Sequence, residues 1–548
     1  TINNYKMQMM RSFEENESRA MLYVYSFING ADWADEVQQF DRMSKITKQD
    51  VVDWANKYLG PESYAIVYKR EGKDPNEQKI AAPKITPIVT NRDSQSEFLT
   101  EIQNSKVEPI EPVFVDYKKD MSQFEAQKGV NVLYKKNETN DIFTLIYVFN
   151  TGTENDPALN LAFDYLSYLG TDKMSAEQIA SEMYAIACSF GLSAGTNQSW
   201  IEISGLSENM GKAMEIVEGL IAGAQPNEEI LQNLKGDMIK SRADAKLNQS
   251  RCFGALQRYM IYGSDFIRRT TLTDPALQGL TSEQLLAKIG DLMGKQHEVL
   301  YYGPQDEAEV KAALAAHHKV AADLQPLEKK FSTLQPTDEN KVMLAQYDAK
   351  QLYYMQYSNR GEKFDLAADP QITLYNEYFG GGMNTIVFQE MREARGLAYS
   401  AWANLAIPTN AKGDYYYMAF IATQNDKMQK AVEAFDDIIN NMPESEKAFG
   451  IAKEALVSRL RTERTVKDGV LWSYLRARDL GLDAPRDKQI FEKVQSMTLD
   501  DVKAAQQKWV KGRKYVYGIL GDIQNLDLNY LKTLGPIQTV SQEEIFGY

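Results

Sequence analysis

Side chains alternate between two faces in the segment "IFTLIYVFNTG", residues 142–152. One face carries Phe143, Leu145, Tyr147 and Phe149, and the other carries Thr144, Ile146 and Val148. A repeat of two residues is the period of a β-strand, so the pattern predicts a strand here. The segment "QLYYMQYSN", residues 351–359, predicts a strand at the corresponding place in a later part of the chain.

Three segments, beginning at Phe40, Leu277 and Phe491, share one pattern of a helix followed by an aromatic-rich strand. In each, a threonine stands three residues before an Asp or a Gln, which is typical of a helix start where the hydroxyl accepts from a free backbone N–H. The pairs are Thr47 with Asp50, Thr281 with Gln284, and Thr498 with Asp501. The expected strands are "YAIVY" (64–68), "EVLYY" (298–302) and "KYVYGIL" (514–520).

A second feature repeats with the same spacing. Residues 199–221 resemble residues 415–439, each with a strand, a polar turn and a helix, and Lys212 aligns with Lys430. The offset between these two lysines agrees, to within a single position, with the offset between Thr281 and Thr498. The agreement predicts repeated α+β units, each an antiparallel or mixed sheet with helices packed on one face.

The first copy of the repeat is shorter than the other two. It begins at Phe40, near the start of the chain, whereas a long stretch of sequence precedes the same motif in each later unit. We therefore expect that the front of the first unit is missing and that the chain is a fragment.

We predict four segments along the chain. Residues 1–70 form the C-terminal tail of a truncated unit, and residues 129–335 and 336–548 form two complete units. Residues 71–128 are rich in proline and are expected to be an extended connector, either an ordered strap or a flexible tether. These prolines are Pro75, Pro83, Pro87, Pro109 and Pro112.

The stretch "GGGMNTIVFQEMREARGLAYSAW", residues 380–402, carries the candidate chemistry. Gly380, Gly381 and Gly382 allow a tight turn before a predicted helix with the apolar stripe Ile386, Val387 and Met391. Gly396 suits the left-handed position that ends a helix. A predicted strand "LAYSAW" then places Leu397, Tyr399 and Ala401 on one face. Arg392 on the last helical turn and Tyr399 on the strand are expected to reach the same edge, although an arginine near a helix end and a tyrosine on a strand also occur without function.

Composition excludes several classes of function. The net charge of −15 argues against binding of nucleic acid, and no apolar run approaches the roughly 18–20 residues of a membrane span. Cys188 and Cys252 are too few for a disulfide framework or a thiolate metal site. The three histidines, His297, His317 and His318, lack the spacing that puts two imidazoles on one helical face. We expect them to be surface or structural residues and predict no metal site within this chain.

The text "REARGLAY" resembles the pitrilysin/insulysin (inverzincin) family of zinc peptidases, in which an arginine and a tyrosine seven residues apart grip the substrate. The separation of Arg392 and Tyr399 is the same. The resemblance implies four homologous α+β units arranged as the two halves of a clamshell. In that arrangement the N-terminal half carries an H-x-x-E-H motif that binds zinc, and the C-terminal half carries the arginine and the tyrosine.

This chain departs from the family at the zinc motif. Aligning Gly170-Thr171 in "NLAFDYLSYLGTDKMS" (160–175) with the family's Gly-Thr pair puts Leu161, Asp164 and Tyr165 where His, Glu and His belong. One carboxylate without imidazoles does not hold zinc tightly. The resemblance therefore implies that zinc is bound by an N-terminal half outside this chain, as a cleaved segment or a separate polypeptide.

The implied function is the C-terminal half of a zinc metalloendopeptidase that degrades peptides enclosed between two shells. Tyr399 would donate to the oxyanion and Arg392 to neighbouring peptide carbonyls, with Gly380, Gly381 and Gly382 binding substrate and the edge strands adding a substrate strand. This chain alone is expected to be inactive. The alternative is a non-catalytic scaffold or peptide-binding subunit. Relatives occur in the bacterial periplasm and in organelles, and of these we favour the periplasm.

Overall fold

The computed structural model describes residues 1–72 and 96–548, and it contains two six-stranded sheets. The first sheet consists of β1 (Ser122–Gln127), β2 (Val130–Lys136), β3 (Ile142–Phe149), β4 (Cys188–Ala194), β5 (Ser199–Leu206) and β6 (His297–Gly303). The second consists of β7 (Lys341–Gln346), β8 (Gln351–Lys363), β9 (Ser400–Ala406), β10 (Asp414–Gln424), β11 (Val516–Gly521) and β12 (Ile537–Val540).

The strand orders of the two sheets are β1-β2-β6-β3-β5-β4 and β12-β7-β11-β8-β10-β9, and they match in all strands except β1 and β12 at one edge. In both, the late strand β6 or β11 lies in the middle, parallel to one neighbour (β2 or β7) and antiparallel to the other (β3 or β8). The remaining pairs are antiparallel except β12 with β7. The predicted α+β class with mixed sheets is confirmed.

Helices cover both sheets. Those before the first sheet are α1 (Ile2–Phe13), α2 (Asn16–Asn29), α3 (Trp33–Val37), α4 (Gln39–Met43), α5 (Lys48–Tyr58) and α6 (Glu97–Asn104). Those between β3 and β7 are α7 (Leu159–Leu166), α8 (Ala176–Ala185), α9 (Met210–Gly223), α10 (Glu228–Lys246), α11 (Gln249–Thr270), α12 (Asp274–Gly279), α13 (Ser282–Met293) and α14 (Glu307–His317). The remaining ones are α15 (Asp369–Phe379), α16 (Ile386–Phe388), α17 (Met428–Asn440), α18 (Glu446–Thr462), α19 (Gly469–Asp479), α20 (Arg486–Val494), α21 (Leu499–Ala505), α22 (Leu528–Leu534) and α23 (Gln542–Phe546). Within residues 1–72 and 96–548, none of these helices is long and apolar enough to span a bilayer.

The predicted helix starts and the internal repeat are confirmed. Reciprocal bonds between the threonine and the residue three positions later begin α5, α13 and α21. Helix α9 starts at Met210 and α17 at Met428, and the offset between these starts is the one that separates Lys212 from Lys430.

Strand β3 buries both of its faces, in two different cores. Phe143, Leu145, Tyr147 and Phe149 pack with α7, α9 and α13, whereas Ile146 and Val148 pack on the opposite side of the sheet. The predicted division of faces is therefore correct. Because both faces are covered, the apolar side chains at the centre of the sheet are shielded from water.

The two sheets exchange helices. The face of the first sheet that carries Ile146 is covered by Leu471 and Leu475 of α19, a helix that lies between β10 and β11 of the second sheet in sequence. The corresponding face of the second sheet is covered by Leu256 and Met260 of α11, which precedes that sheet in sequence. Helix α19 thus completes a core on the first sheet, and helix α11 completes a core on the second sheet.

Contacts across this exchange include a bidentate ion pair. Arg478 of α19 donates to both carboxylate oxygens of Glu298 on β6, at 2.5 and 2.7 Å. Lys329 pairs with Asp479 at 2.6 Å. The regions around the two sheets, together with residues Asn3–Glu14, accordingly form one compact unit over Pro112–Tyr548.

Residues Glu15–Glu111 form a separate compact unit within the described part of the chain. The segment 64–68, predicted to be a strand, has no regular secondary structure, and Val67 is 90% exposed. A strand needs a neighbour for its backbone hydrogen bonds, which explains why the expectation fails here while β6 and β11 form.

The predicted connector, residues 71–128, differs from an extended segment because it contains α6 and β1. Ser96 begins α6, and its side chain accepts from the Leu99 amide. Residues 73–95, with Pro75, Pro83 and Pro87, lie outside the described part of the chain. The four predicted segment boundaries stay predictions.

Candidate functional site

The helix expected after the three glycines is short and changes its winding. Helix α16 covers Ile386–Phe388 and continues as a π-helical turn over Gln389–Ala394 that carries Arg392. Ile386, Val387 and Met391 are buried, as the predicted stripe requires. Gly396 has a φ of +58°, and the Leu397 amide donates to the Met391 carbonyl at 2.9 Å, so the predicted left-handed helix end is confirmed.

Tyr399 precedes the strand that was predicted to contain it, because β9 begins at Ser400. The expected alternation also fails at this point, since Ala398 and Ala401 both enter the core while Tyr399 is 73% exposed. The Tyr399 amide still donates to the carbonyl of Ala422 on the neighbouring strand, at 3.1 Å. The backbone is thereby held to the sheet while the phenol projects into solvent.

The structure brings the side chains of Arg392 and Tyr399 together. The guanidinium carbon of Arg392 lies 5.3 Å from the centre of the Tyr399 ring and 5.0 Å from that of Phe388. Its nearest carboxylate is that of Glu393, at 3.8 Å, and both side chains are about 40% exposed. A cation over an aromatic face is attracted by the ring quadrupole, which limits the directions in which the guanidinium can point. The two groups offer hydrogen-bond donors side by side on one surface.

Two of the three glycines occupy places that a side chain would not fit. A Cβ at Gly380 would lie 2.2 Å from the Asn376 carbonyl oxygen, and a Cβ at Gly381 would lie 2.8 Å from the Cβ of Trp402. At Gly382 the nearest atom would be at an ordinary 3.6 Å. Close packing against α15 and β9 thus explains Gly380 and Gly381, and the substrate-binding role predicted for all three stays a prediction.

Strand β9 is at the edge of the second sheet, but part of that edge is occupied. The Asn376 side chain donates to the Leu405 carbonyl and accepts from the Leu405 amide, both at 2.9 Å. The Ala403 amide donates to the Gly380 carbonyl at 3.4 Å. A substrate strand could not pair with β9 at these two residues without displacing the chain's own contacts.

The residues aligned with the zinc ligands do not fit a metal. Leu161 and Tyr165 are buried in the core of the first sheet, and the Tyr165 hydroxyl donates to Ser282 Oγ at 2.7 Å. Asp164 accepts from Asn160 Nδ2 at 3.2 Å, and burial raises the pKa of its carboxyl. A hydrocarbon and a bonded phenol supply no ligand set for zinc. Across residues 1–72 and 96–548, no group of three His, Cys, Asp or Glu side chains is arranged to hold a metal ion.

Two of the histidines meet inside the first unit, which the sequence did not indicate. Nε2 of His297 lies 2.8 Å from Nε2 of His318, and Nδ1 of His318 lies 2.5 Å from Glu218 Oε1. Nδ1 of His297 lies 2.8 Å from the Lys295 carbonyl, so it carries a proton and Nε2 is left as an acceptor. Burial, with the neighbouring His318, lowers the pKa of His297 to about 4.

An acidic residue occupies the equivalent position in the second unit. Asp436 is separated from Glu218 in sequence by the same offset as Lys430 from Lys212. Its carboxylate accepts a hydrogen bond from Gln356 Nε2 on β8 at 2.7 Å. Burial raises the pKa of Asp436 to about 6. The repeat offset is the signal that could have linked these two helix positions before the structure was known.

Comparisons with known proteins agree with this fold. Residues 294–456 match the family model described as the peptidase M16 inactive domain. A solved peptidase M16 inactive domain from Pseudomonas fluorescens superposes with a TM-score of 0.58 at 19% identity, covering 73% of this chain and 98% of that one. The periplasmic protease PqqL of Escherichia coli gives a TM-score of 0.59 at 14% identity, covering 95% of this chain and 60% of that one.

A curated relative points to the same class. An uncharacterized zinc protease of Streptomyces coelicolor is 23% identical over 269 residues, which are 46% of this chain and 56% of the relative. The chain thus spans little more than half the length of that relative. Together the matches show that residues 294–456 are similar to a peptidase M16 inactive domain and that the wider chain shares the fold of the solved M16 structures. The resemblance to a zinc peptidase family that the sequence indicated is confirmed.

Proposed function

We propose that this chain is the C-terminal half of a zinc metalloendopeptidase, in which Arg392 and Tyr399 bind the substrate and stabilise the oxyanion. The observation that carries the proposal is their contact, with the guanidinium 5.3 Å from the phenol ring and both groups accessible. Arg392 has only a marginal contact with the Glu393 carboxylate, so no close ion pair within the described residues occupies its donors.

The chemistry of the pair suits a peptide in the act of cleavage. A phenol donates one hydrogen bond to an oxygen on which charge develops, and a guanidinium offers a planar fork of donors to adjacent carbonyls. The ring beneath Arg392 orders the fork before substrate arrives, so less conformational entropy is lost on binding. Both are positioning and binding functions, and they leave the attack on the peptide bond to groups outside this chain.

The zinc in this proposal belongs to a separate N-terminal half, because Leu161, Asp164 and Tyr165 cannot hold it. Support for such a partner comes from residues 15–72, where large apolar side chains are open to solvent. Phe27 is 87% exposed, Trp54 57% and Val67 90%. In the proposed assembly, the N-terminal half would cover apolar side chains of this kind.

The test is to assay peptide cleavage with and without the partner. The 548-residue chain is expected to cleave no peptide by itself and to restore zinc-dependent cleavage when combined with an N-terminal segment that contains H-x-x-E-H. Cleavage by this chain alone would contradict the proposal. The non-catalytic scaffold stays the second candidate, and a combined protein that binds peptide but never cleaves it would favour that function.

A further inference from the structure

A cleft of about 780 Å³ opens where residues of both sheet regions meet, away from Arg392 and Tyr399. Its walls include Arg258 and Phe266 of α11, the segment 329–334, and the turn 407–414 that follows β9. Pockets of this size, between packed units and with mixed polar and apolar walls, are typical places for a ligand.

The charge of this cleft is opposite to that of the protein. Its lining carries five cations and one carboxylate, Asp414, although the whole chain has 76 acidic and 61 basic residues. The cations are Arg242, Arg258, Lys329, Lys363 and Lys412. Three of them are neutralised, Arg242 by Asp274, Lys329 by Asp479 and Lys363 by Asp414.

Arg258 has only neutral neighbours within the described residues. Its Nη2 donates to Thr270 Oγ1 at 2.8 Å and to Thr271 Oγ1 at 3.4 Å, and its guanidinium lies 5.5 Å from the Phe266 ring centre. No hydrogen bond from Nε or Nη1, and no carboxylate partner, is present in residues 1–72 and 96–548. Burial lowers the pKa of Arg258, and the nearby phenols of Tyr262 and Tyr548 oppose that shift.

The hydrogen bonds to Thr270 and Thr271 hold the guanidinium in place through Nη2. Within the described part of the chain the N–H groups of Nε and Nη1 are free, and one of them can donate a charge-assisted hydrogen bond to a carboxylate oxygen. Lys412, on the turn that borders the cleft, adds a second cation with no carboxylate partner among the described residues. The cleft therefore offers more positive charge than its own residues balance.

We propose that this cleft binds the carboxylate groups of an unfolded acidic peptide, with Arg258 forming the ion pair. The inference rests on the proposed function in taking a peptide as the ligand. The location fits that ligand, because the turn at the cleft follows the end of β9 and Tyr399 precedes its start. Eight residues of extended backbone separate the two by on the order of 25 Å. One extended peptide is long enough to reach both.

Binding is tested on the full chain by fluorescence anisotropy, with no catalysis involved. The probe is a labelled Gly/Ser peptide that ends in a run of glutamates, and the matched probe ends in glutamines with an amidated C-terminus. We expect the wild-type chain to bind the acidic peptide at least about tenfold more tightly, and more weakly as salt is added. Equal binding of the two peptides would overturn the proposal, as would binding of inorganic tripolyphosphate without binding of the acidic peptide.

Substitutions locate the binding. Arg258→Gln is expected to weaken binding of the acidic peptide about tenfold. Arg268 lies in α11 beyond the kink at Gly263, is ion-paired to Asp265 and is outside the cleft, so Arg268→Gln is expected to leave binding unchanged. Thermal unfolding of each variant shows whether it folds. If Arg258→Gln does not fold, Lys412→Gln replaces it, with an expected loss of about threefold. Wild-type affinity in the folded variant contradicts the proposal.

The same measurement separates this inference from the peptidase proposal. Failure of the peptidase proposal is detected by turnover and leaves this affinity unaffected, whereas failure of the cleft proposal is detected by Arg258→Gln in the absence of any zinc-binding half.

Discussion

The guanidinium of Arg392 lies 5.3 Å from the ring centre of Tyr399, although one residue is in a π-helical turn and the other lies just before a strand. The intervening chain reverses at Gly396, whose positive φ an L-amino acid rarely adopts. Met391 next to Arg392 and Ala398 next to Tyr399 are buried in one core, so packing of that core holds the two exposed side chains close together. The pair is thus preorganised by the fold.

Alanine substitutions at Gly380 and Gly382 are expected to have very different effects on the free energy of unfolding. Gly380→Ala forces a Cβ to within 2.2 Å of the Asn376 carbonyl oxygen, a backbone atom that can move only with α15. We expect a loss of about 1–3 kcal/mol in the free energy of unfolding. Gly382→Ala meets its nearest atom at 3.6 Å and should change stability by less than about 0.5 kcal/mol. Urea denaturation of both variants measures the difference, and equal losses would contradict it.

His297 is expected to make the protein less stable in acid. Its pKa is lowered from 6.5 to about 4, so above pH 6.5 the imidazole is neutral in both states and its packing contributes fully to stability. As the pH falls from 6.5 toward 4, the unfolded chain takes up a proton that the folded chain resists, and stability decreases by up to about 3 kcal/mol.

The variant His297→Phe tests this directly. Its free energy of unfolding should fall less steeply than that of the wild-type chain across the same pH range, as measured by urea denaturation. His317→Gln is the matched control, because that imidazole is only half-buried and is not hydrogen-bonded into the His297–His318 contact. Parallel pH profiles for wild-type and His297→Phe would show that another group causes the acid sensitivity.

Asp436 is expected to destabilise the fold at neutral pH. Burial raises the pKa of its carboxyl to about 6, so the folded chain binds a proton that the unfolded chain has lost between pH 3.8 and 6. The loss of stability caused by the charged carboxylate is absent below pH 3.8 and complete above about pH 6. Asp436→Asn keeps an acceptor for Gln356 and should raise the free energy of unfolding by about 2 kcal/mol at about pH 7.5, with little change at about pH 4.

Asp437 provides the control for this measurement. Its carboxylate is exposed, and hydrogen bonds from Asn441 and Arg395 lower its pKa. Asp437→Asn should therefore not stabilise the protein at neutral pH. A stabilisation by Asp437→Asn equal to that of Asp436→Asn would mean that general charge reduction, not burial, is responsible.

The ion pair between Glu298 and Arg478 is expected to hold the exchanged helix α19 on the first sheet. Glu298 is 9% exposed, and its removal leaves a partly buried guanidinium without a partner. Glu298→Ala should cost about 2 kcal/mol, a figure below that for fully buried pairs because the Arg478 side chain keeps some contact with water. Asp323→Ala, which breaks the exposed pair with Lys128, should cost less than about 0.5 kcal/mol. Equal losses of stability in Glu298→Ala and Asp323→Ala, measured by thermal unfolding, would contradict this prediction.

Local signals predicted much of the fold. The strand around Tyr147 and the helix starts at the threonines depend on residues close in sequence. The structure contains them where they were predicted. The repeat offset correctly aligned α9 with α17. These features hold because each depends on backbone geometry within a few residues.

Features that depend on distant partners were not predicted. Residues 64–68 have a strand's composition but no neighbouring strand, and the exchange of α11 and α19 depends on how two sheets pack together. The contact between His297 and His318 joins a strand to a helix end 21 residues later. At the candidate site, seven-residue spacing indicated that Arg392 and Tyr399 would approach, but it did not indicate the π-helical turn that carries Arg392.

The central claim is that Arg392 and Tyr399 assist cleavage by a metal held elsewhere. It is tested most directly by the peptide turnover of the chain combined with its zinc-binding half, with bound zinc measured in the same samples. Tyr399→Phe and Arg392→Lys should lower turnover by about 10²–10³-fold at unchanged zinc content. The exposed residues Arg395 and Tyr168 supply the matched controls Arg395→Lys and Tyr168→Phe, which should retain wild-type turnover. Wild-type rates in both site variants, or a fall in turnover that follows a loss of zinc, would contradict the account.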